Sequence, residues 1–74
     1  MGRLAGFTAD DVLTKLRRAG FVFDRQAKGS HEIWWNPETR ARTTVPHHPG
    51  DLPERTLHAI LRQARLTTND FLTL

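Results

Sequence analysis

The chain has 74 residues, no cysteine, 38% hydrophobic residues and a formal charge of +3. Disulfides, thiol nucleophiles, thiolate metal centres and an apolar membrane span are thereby excluded. At this length the chain buries only about 60% of its unfolded surface, which points to an open surface or shallow groove rather than a roomy enclosed pocket.

The first helix is announced at Phe7-Thr8-Ala9-Asp10-Asp11-Val12. Thr8 suits the N-cap, Asp11 stands three residues on as a relative of the capping box, and Phe7 and Val12 occupy the staple positions. Val12, Leu13, Leu16 and Ala19 form a helical stripe. Lys15, Arg17 and Arg18 fall on or beside its exposed face. Gly20 ends the helix, because glycine tolerates the left-handed position that closes one.

Three strands follow, over about Phe21 to Arg25, His31 to Trp35 and Arg40 to Val45. They are separated by a turn at residues 26–30 and a type I turn at Asn36-Pro37-Glu38-Thr39, and Pro46 stops the third strand. The short connections make an antiparallel meander. Residues 47–51 form a loop, and Pro53 suits the first turn of a second helix striped by Leu57, Ile60, Leu61 and Ala64. Leu66-Thr67-Thr68-Asn69-Asp70-Phe71 repeats the signals of the first helix start, so a short terminal helix is expected. The order is α-β-β-β-α-α over residues 1–74 as one domain. It is an α+β layer shared with double-stranded-RNA-binding folds, with helices on one sheet face and the other face open.

Residues 12 to 30 carry Lys15, Arg17, Arg18, Arg25 and Lys28 against Asp24 alone, a local +4 that ends beside His31. Such a density suits a phosphate-rich partner, or a solvated helix face. Lys28-Gly29-Ser30-His31 is the densest candidate site. Gly29 lets backbone approach a ligand, free turn amides meet phosphate, Lys28 adds charge and His31 moves a proton near neutral pH. By itself the tetrapeptide also reads as an ordinary hairpin turn before a surface histidine. Ser30 and His31 are a poor nucleophile–base pair, since neighbouring strand residues point oppositely. His47-His48 with Asp51 matches no strong metal signature, and His58 reads as a surface residue. Trp34 and Trp35 face opposite sides of the sheet, one into the core and one outward, where it could stack a nucleobase or anchor a partner. Arg40 and Arg42 are placed on one face of the third strand, solvated or on phosphate.

Four segments together resemble the HicA toxins of bacterial type II toxin–antitoxin systems, which are small mRNA interferases. They are Lys15-Leu16-Arg17-Arg18-Ala19-Gly20-Phe21, Lys28-Gly29-Ser30-His31, Val45-Pro46-His47-His48, and Thr56 to Ala64 followed by Leu66-Thr67. The resemblance implies a double-stranded-RNA-binding-like fold and an endoribonuclease that cleaves mRNA and needs neither metal nor organic cofactor, and the start Met1 to Gly6, without the apolar stretch of a signal peptide, makes a cytoplasmic location the expectation. It also implies a HicB-type antitoxin that masks the active surface. It assigns the catalytic role to His31 and the second motif histidine to His48. Lys28, Gly29, Ser30, Arg25, Arg17, Arg18, Arg40 and Arg42 are the expected RNA-binding residues. The alternative is a non-catalytic RNA-binding module of the same fold.

Overall fold

The computed structural model describes residues 2–74. The elements run α1 (Ala9–Arg18), β1 (Val22–Gln26), β2 (His31–Trp35), β3 (Arg42–Pro46), α2 (Glu54–Ala64) and α3 (Thr68–Leu72). The strands form one antiparallel sheet in the order β1-β2-β3, with two helices and a short third, as the α+β reading expects.

The helix ends follow their local chemistry. Thr8 and Asp11 form a reciprocal capping box at α1, and Thr67 and Asp70 form another at α3. These bonds from cap backbone and cap hydroxyl hold both carboxyls below their ordinary range. Gly20 takes φ +101° just past α1, where the Gly20 N–H reaches the Arg17 carbonyl and the Phe21 N–H reaches that of Leu16. This is the double closure of a Schellman end, and it turns buried Phe21 into the core before β1 begins at Val22. Phe7 packs edge-on against Phe71 at 5.1 Å, tying the start of α1 to α3.

Several boundaries differ from the sequence reading, and β1 runs one residue later, over Val22–Gln26. Arg40 is not in β3 but in the preceding turn, at φ +66°. The cause is Asn36, whose side-chain oxygen accepts from the Glu38 and Thr39 N–H groups while its carbonyl accepts from Arg40 at 2.7 Å. The turn therefore closes one residue later than a type I turn, and the strand starts at Arg42. Pro46 ends β3 from inside, which the terminal position in an edge strand allows. Pro53 caps α2 from outside, with ψ 142°, rather than occupying its first turn.

Leu16, Val12, Val45, Leu57, Ile60 and Phe71 lie at the centre of the core between the helices and one sheet face. Trp34 and Thr43, partners across β2 and β3, belong to that covered face. Alternation then places His31, Ile33 and Trp35, with their partners Pro46, Thr44 and Arg42, on the other face. The open tryptophan is Trp35, with the Arg42 guanidinium 5.3 Å above its ring. The outer edge of β3 is covered by α2, because the Thr44 N–H donates to Gln63 Oε1 at 3.1 Å.

Candidate functional site

The β1–β2 hairpin places His31. Gln26 Nε2 donates to the carbonyls of Gly29 and His31, each at 3.0 Å, while the Ala27 N–H reaches the His31 carbonyl and the His31 N–H that of Lys28. The tight loop requires φ +63° at Gly29, and a Cβ there would meet nothing within 4 Å. Glycine thus serves backbone conformation, and the space above the turn is open to a ligand. Lys28 and His31 are exposed, and Ser30 is half-buried. No hydrogen bond joins the side chains of Ser30 and His31. The His31 imidazole opens on a groove at the β3 edge lined by Thr44, Pro46, Thr56, Ala59, Ile60 and Gln63. Among the described residues no carboxylate lines this groove.

A second histidine sits nearby in a different setting. The His47 N–H donates to the Ser30 carbonyl at 2.9 Å, joining the two strand ends. Its ring turns to the covered face, where Nδ1 lies 2.6 Å from Glu32 Oε2 and Nε2 lies 2.7 Å from Asp10 Oδ1. A neutral imidazole has one N–H, so only the imidazolium donates to both carboxylates. The bond to Glu32, then that to Asp10, raise the His47 pKa above its ordinary value, against the opposing effect of burial. At Glu32 burial alone would raise the carboxyl. The bonds from His47 and Trp34 and the charges of His47 and Arg17 outweigh it and hold the group below its usual range. Trp34 Nε1 completes the chain, donating to Glu32 Oε1 at 3.0 Å. With both ring nitrogens committed, His47 has none left for an ion or a proton-transfer step. His48 is exposed, with only a long contact of 3.4 Å to the Pro49 carbonyl.

The basic residues do not form one patch. Lys15 Nζ donates to the carbonyls of Phe71 and Leu74, and Arg18 donates to that of Leu74, so both serve the end of α3. Arg17 lies 4.9 Å from the Trp34 ring, on the helix side of the sheet. Arg40 is exposed in the β2–β3 turn. Arg42 pairs with Asp24, which also meets Arg25 at 3.3 Å. Arg25, opposite Ile33 in the register, and Arg42, opposite Trp35, share the open face with His31. Lys28 stands in the adjoining turn. The local +4 is therefore divided, with α1 supplying structure and the β1 end supplying the cations nearest His31.

Sequence reasoning missed Asp10, Glu32, His47 as a bridge and Gln63. One signal was present for Glu32. It alternates with Trp34, so burial of Trp34 brings a carboxylate to the covered face, where it requires donors.

Among the described residues no helix is long and apolar enough to cross a membrane. A search of curated proteins returns no match for the chain. Residues 9–66, well over half of the chain, match the family model described as the HicA toxin of bacterial toxin–antitoxin. The match runs from the first residue of α1 past the end of α2, and so takes in the Gly-Ser-His turn, the His31 groove and the His47 bridge. On that match the chain belongs to the HicA toxin family, as a toxin component that implies an antitoxin partner.

Proposed function

We propose that this toxin is a metal-independent endoribonuclease that cleaves mRNA in the cytoplasm, with His31 as its proton-transfer group. The observation that carries this reading is the position of His31, exposed in a groove without carboxylates and beside the open Lys28-Gly29-Ser30 turn. The family membership supports it. His47, clamped between two carboxylates, lacks a free ring nitrogen for the same task.

In this reading the RNA 2′-hydroxyl attacks the adjacent phosphorus. The O2′–P bond forms, the P–O5′ bond breaks, and a proton leaves O2′ while another reaches O5′. His31 takes the first proton or supplies the second, and a positioned side chain in such a role is worth about 10²–10⁴-fold in rate. Lys28 and the amides of the Gly29-Ser30 turn stabilise the charge that develops on the phosphoryl oxygens. Arg25 and Arg42 hold the RNA backbone on the open face, with exposed Arg40 and His48 as more distant contributors, while Arg17 and Arg18 stay with the helix side of the sheet. A HicB-type antitoxin neutralises the toxin by covering the His31 face.

The test is His31→Ala, assayed for RNA cleavage with and without a chelator and for growth arrest, with circular dichroism to verify folding. Cleavage by the folded variant falls about 10²–10⁴-fold. Undiminished cleavage overturns the assignment. Salt-sensitive binding without cleavage by the unmutated chain favours a non-catalytic RNA-binding module.

A further inference from the structure

The groove beside His31 has a composition that the phosphate chemistry does not use. Its walls are Pro46, Ala59 and Ile60, its hydroxyls are those of Thr44 and Thr56, and among the described residues it carries no charged side chain except His31 when protonated. Phosphate is met by cations and amides, and these lie at the hairpin turn. A flat, uncharged heterocycle is the part of a nucleotide that such a groove complements.

Gln63 is the one groove residue with fixed polarity. Its Oε1 accepts from the Thr44 N–H at 3.1 Å and lies 3.0 Å from the Thr43 hydroxyl, which is buried and also 3.1 Å from the Ile60 carbonyl. A backbone N–H can only donate, so the amide oxygen must face the strand. The amino group is the end left over, with two donors and no hydrogen-bond partner among the described residues. The side chain is held by the fold at one end and offers donors at the other, as a reader of base edges requires.

We infer that the groove between β3 and α2 is a nucleobase subsite for the nucleotide flanking the cleaved phosphate, and that Gln63 selects a base presenting a carbonyl there. The inference rests on the ribonuclease reading for its RNA ligand. Uracil and guanine offer a carbonyl oxygen where cytosine and adenine offer an amino group. The Gln63 amino group pairs with the former and opposes the latter.

The decisive variant is Gln63→Glu. It keeps an oxygen for Thr44 and Thr43, so the β3 edge remains satisfied, and replaces the spare donors by an acceptor. Wild type and variant are compared on a randomised RNA pool, with cut ends sequenced and folding checked by circular dichroism. Relative preference is read rather than overall rate, because the added charge slows all RNA equally. The wild type favours uracil or guanine at the flanking position by about five- to tenfold, the worth of one hydrogen bond. The variant shifts towards cytosine and adenine. In parallel, the Gln63 side-chain amide signals of the 15N-labelled wild type are followed during titration with UMP, GMP, CMP and AMP. Movement with UMP and GMP supports the subsite even if the chain cuts no RNA, in which case the ribonuclease reading alone falls. Equal cutting beside all four bases, a preference unchanged in Gln63→Glu, or amide signals that no nucleotide moves overturns the inference.

Discussion

His31 and His47 stand at neighbouring strand ends, one hydrogen bond apart through the Ser30 carbonyl, and the fold treats them oppositely. His31 opens on an uncharged groove with its ring accessible. His47 is turned to the covered face and bridges Asp10 of α1 to Glu32 of β2. A proton-transfer group needs a free nitrogen and a pKa near the working pH, whereas a clasp needs both nitrogens engaged and a proton held firmly. The pleat separates the two, since residues one register step apart face opposite sides of the sheet, and the carboxylates met on the covered side make His47 the clasp.

The largest effect that separates them is on cleavage. His31→Ala removes about 10²–10⁴-fold of the rate with thermal stability unchanged. His47→Ala instead acts first on stability, lowering it by up to about 1 kcal/mol, the range of partly exposed ion pairs. Paired melting curves and cleavage rates check the contrast. A His47→Ala protein as stable as wild type and as inactive as His31→Ala would break it.

The clasp also sets a pH dependence. His47 has a folded pKa raised above its unfolded value of 6.5, so its contribution is fully present below that value and is lost as pH rises through the raised pKa. Glu32 is lowered, so its contribution is present above the unfolded value of 4.5 and is lost as pH falls through the lowered pKa. The opposite shifts of His47 and Glu32 give a stability plateau between these limits. Glu32→Gln lowers the His47 pKa and flattens the alkaline limb. Denaturant midpoints measured across pH, with the His47 titration followed by NMR, check this.

Smaller effects sharpen the division of the basic residues. Lys28→Ala weakens RNA binding almost uniformly across sequences and reduces the slope of log K against log salt by about 0.7, one phosphate contact to a single strand. Lys15→Ala leaves that slope unchanged and costs stability, because Lys15 serves the end of α3. Smallest of all is His48→Ala on stability, within about 0.5 kcal/mol, because its ring makes only one long contact.

Local rules made much of the molecule legible in the chain itself. Both capping boxes, the Gly20 stop, the bounds of β2 and the helical stripes depend on residues within a turn of one another, and each stands where the sequence places it. The Asn36 turn and the start of β3 differ from the sequence reading because the Asn36 side chain takes two backbone N–H groups and its carbonyl a third, which propensity does not register. The position of His31 at the head of β2 was likewise readable, as was its basic turn.

The sequence by itself thus determined the order of elements, the open chemistry of Lys28-Gly29-Ser30-His31 and the excess of positive charge. Tertiary structure decided which tryptophan is core, which cations remain near His31, that His47 is a clasp and that Gln63 faces the groove. These depend on contacts between different elements, such as His47 with Glu32 and Asp10, or Gln63 with Thr44. Such contacts exist only once the sheet has paired and the helices have closed on one of its faces, because pairing register and packing set side-chain direction across the chain.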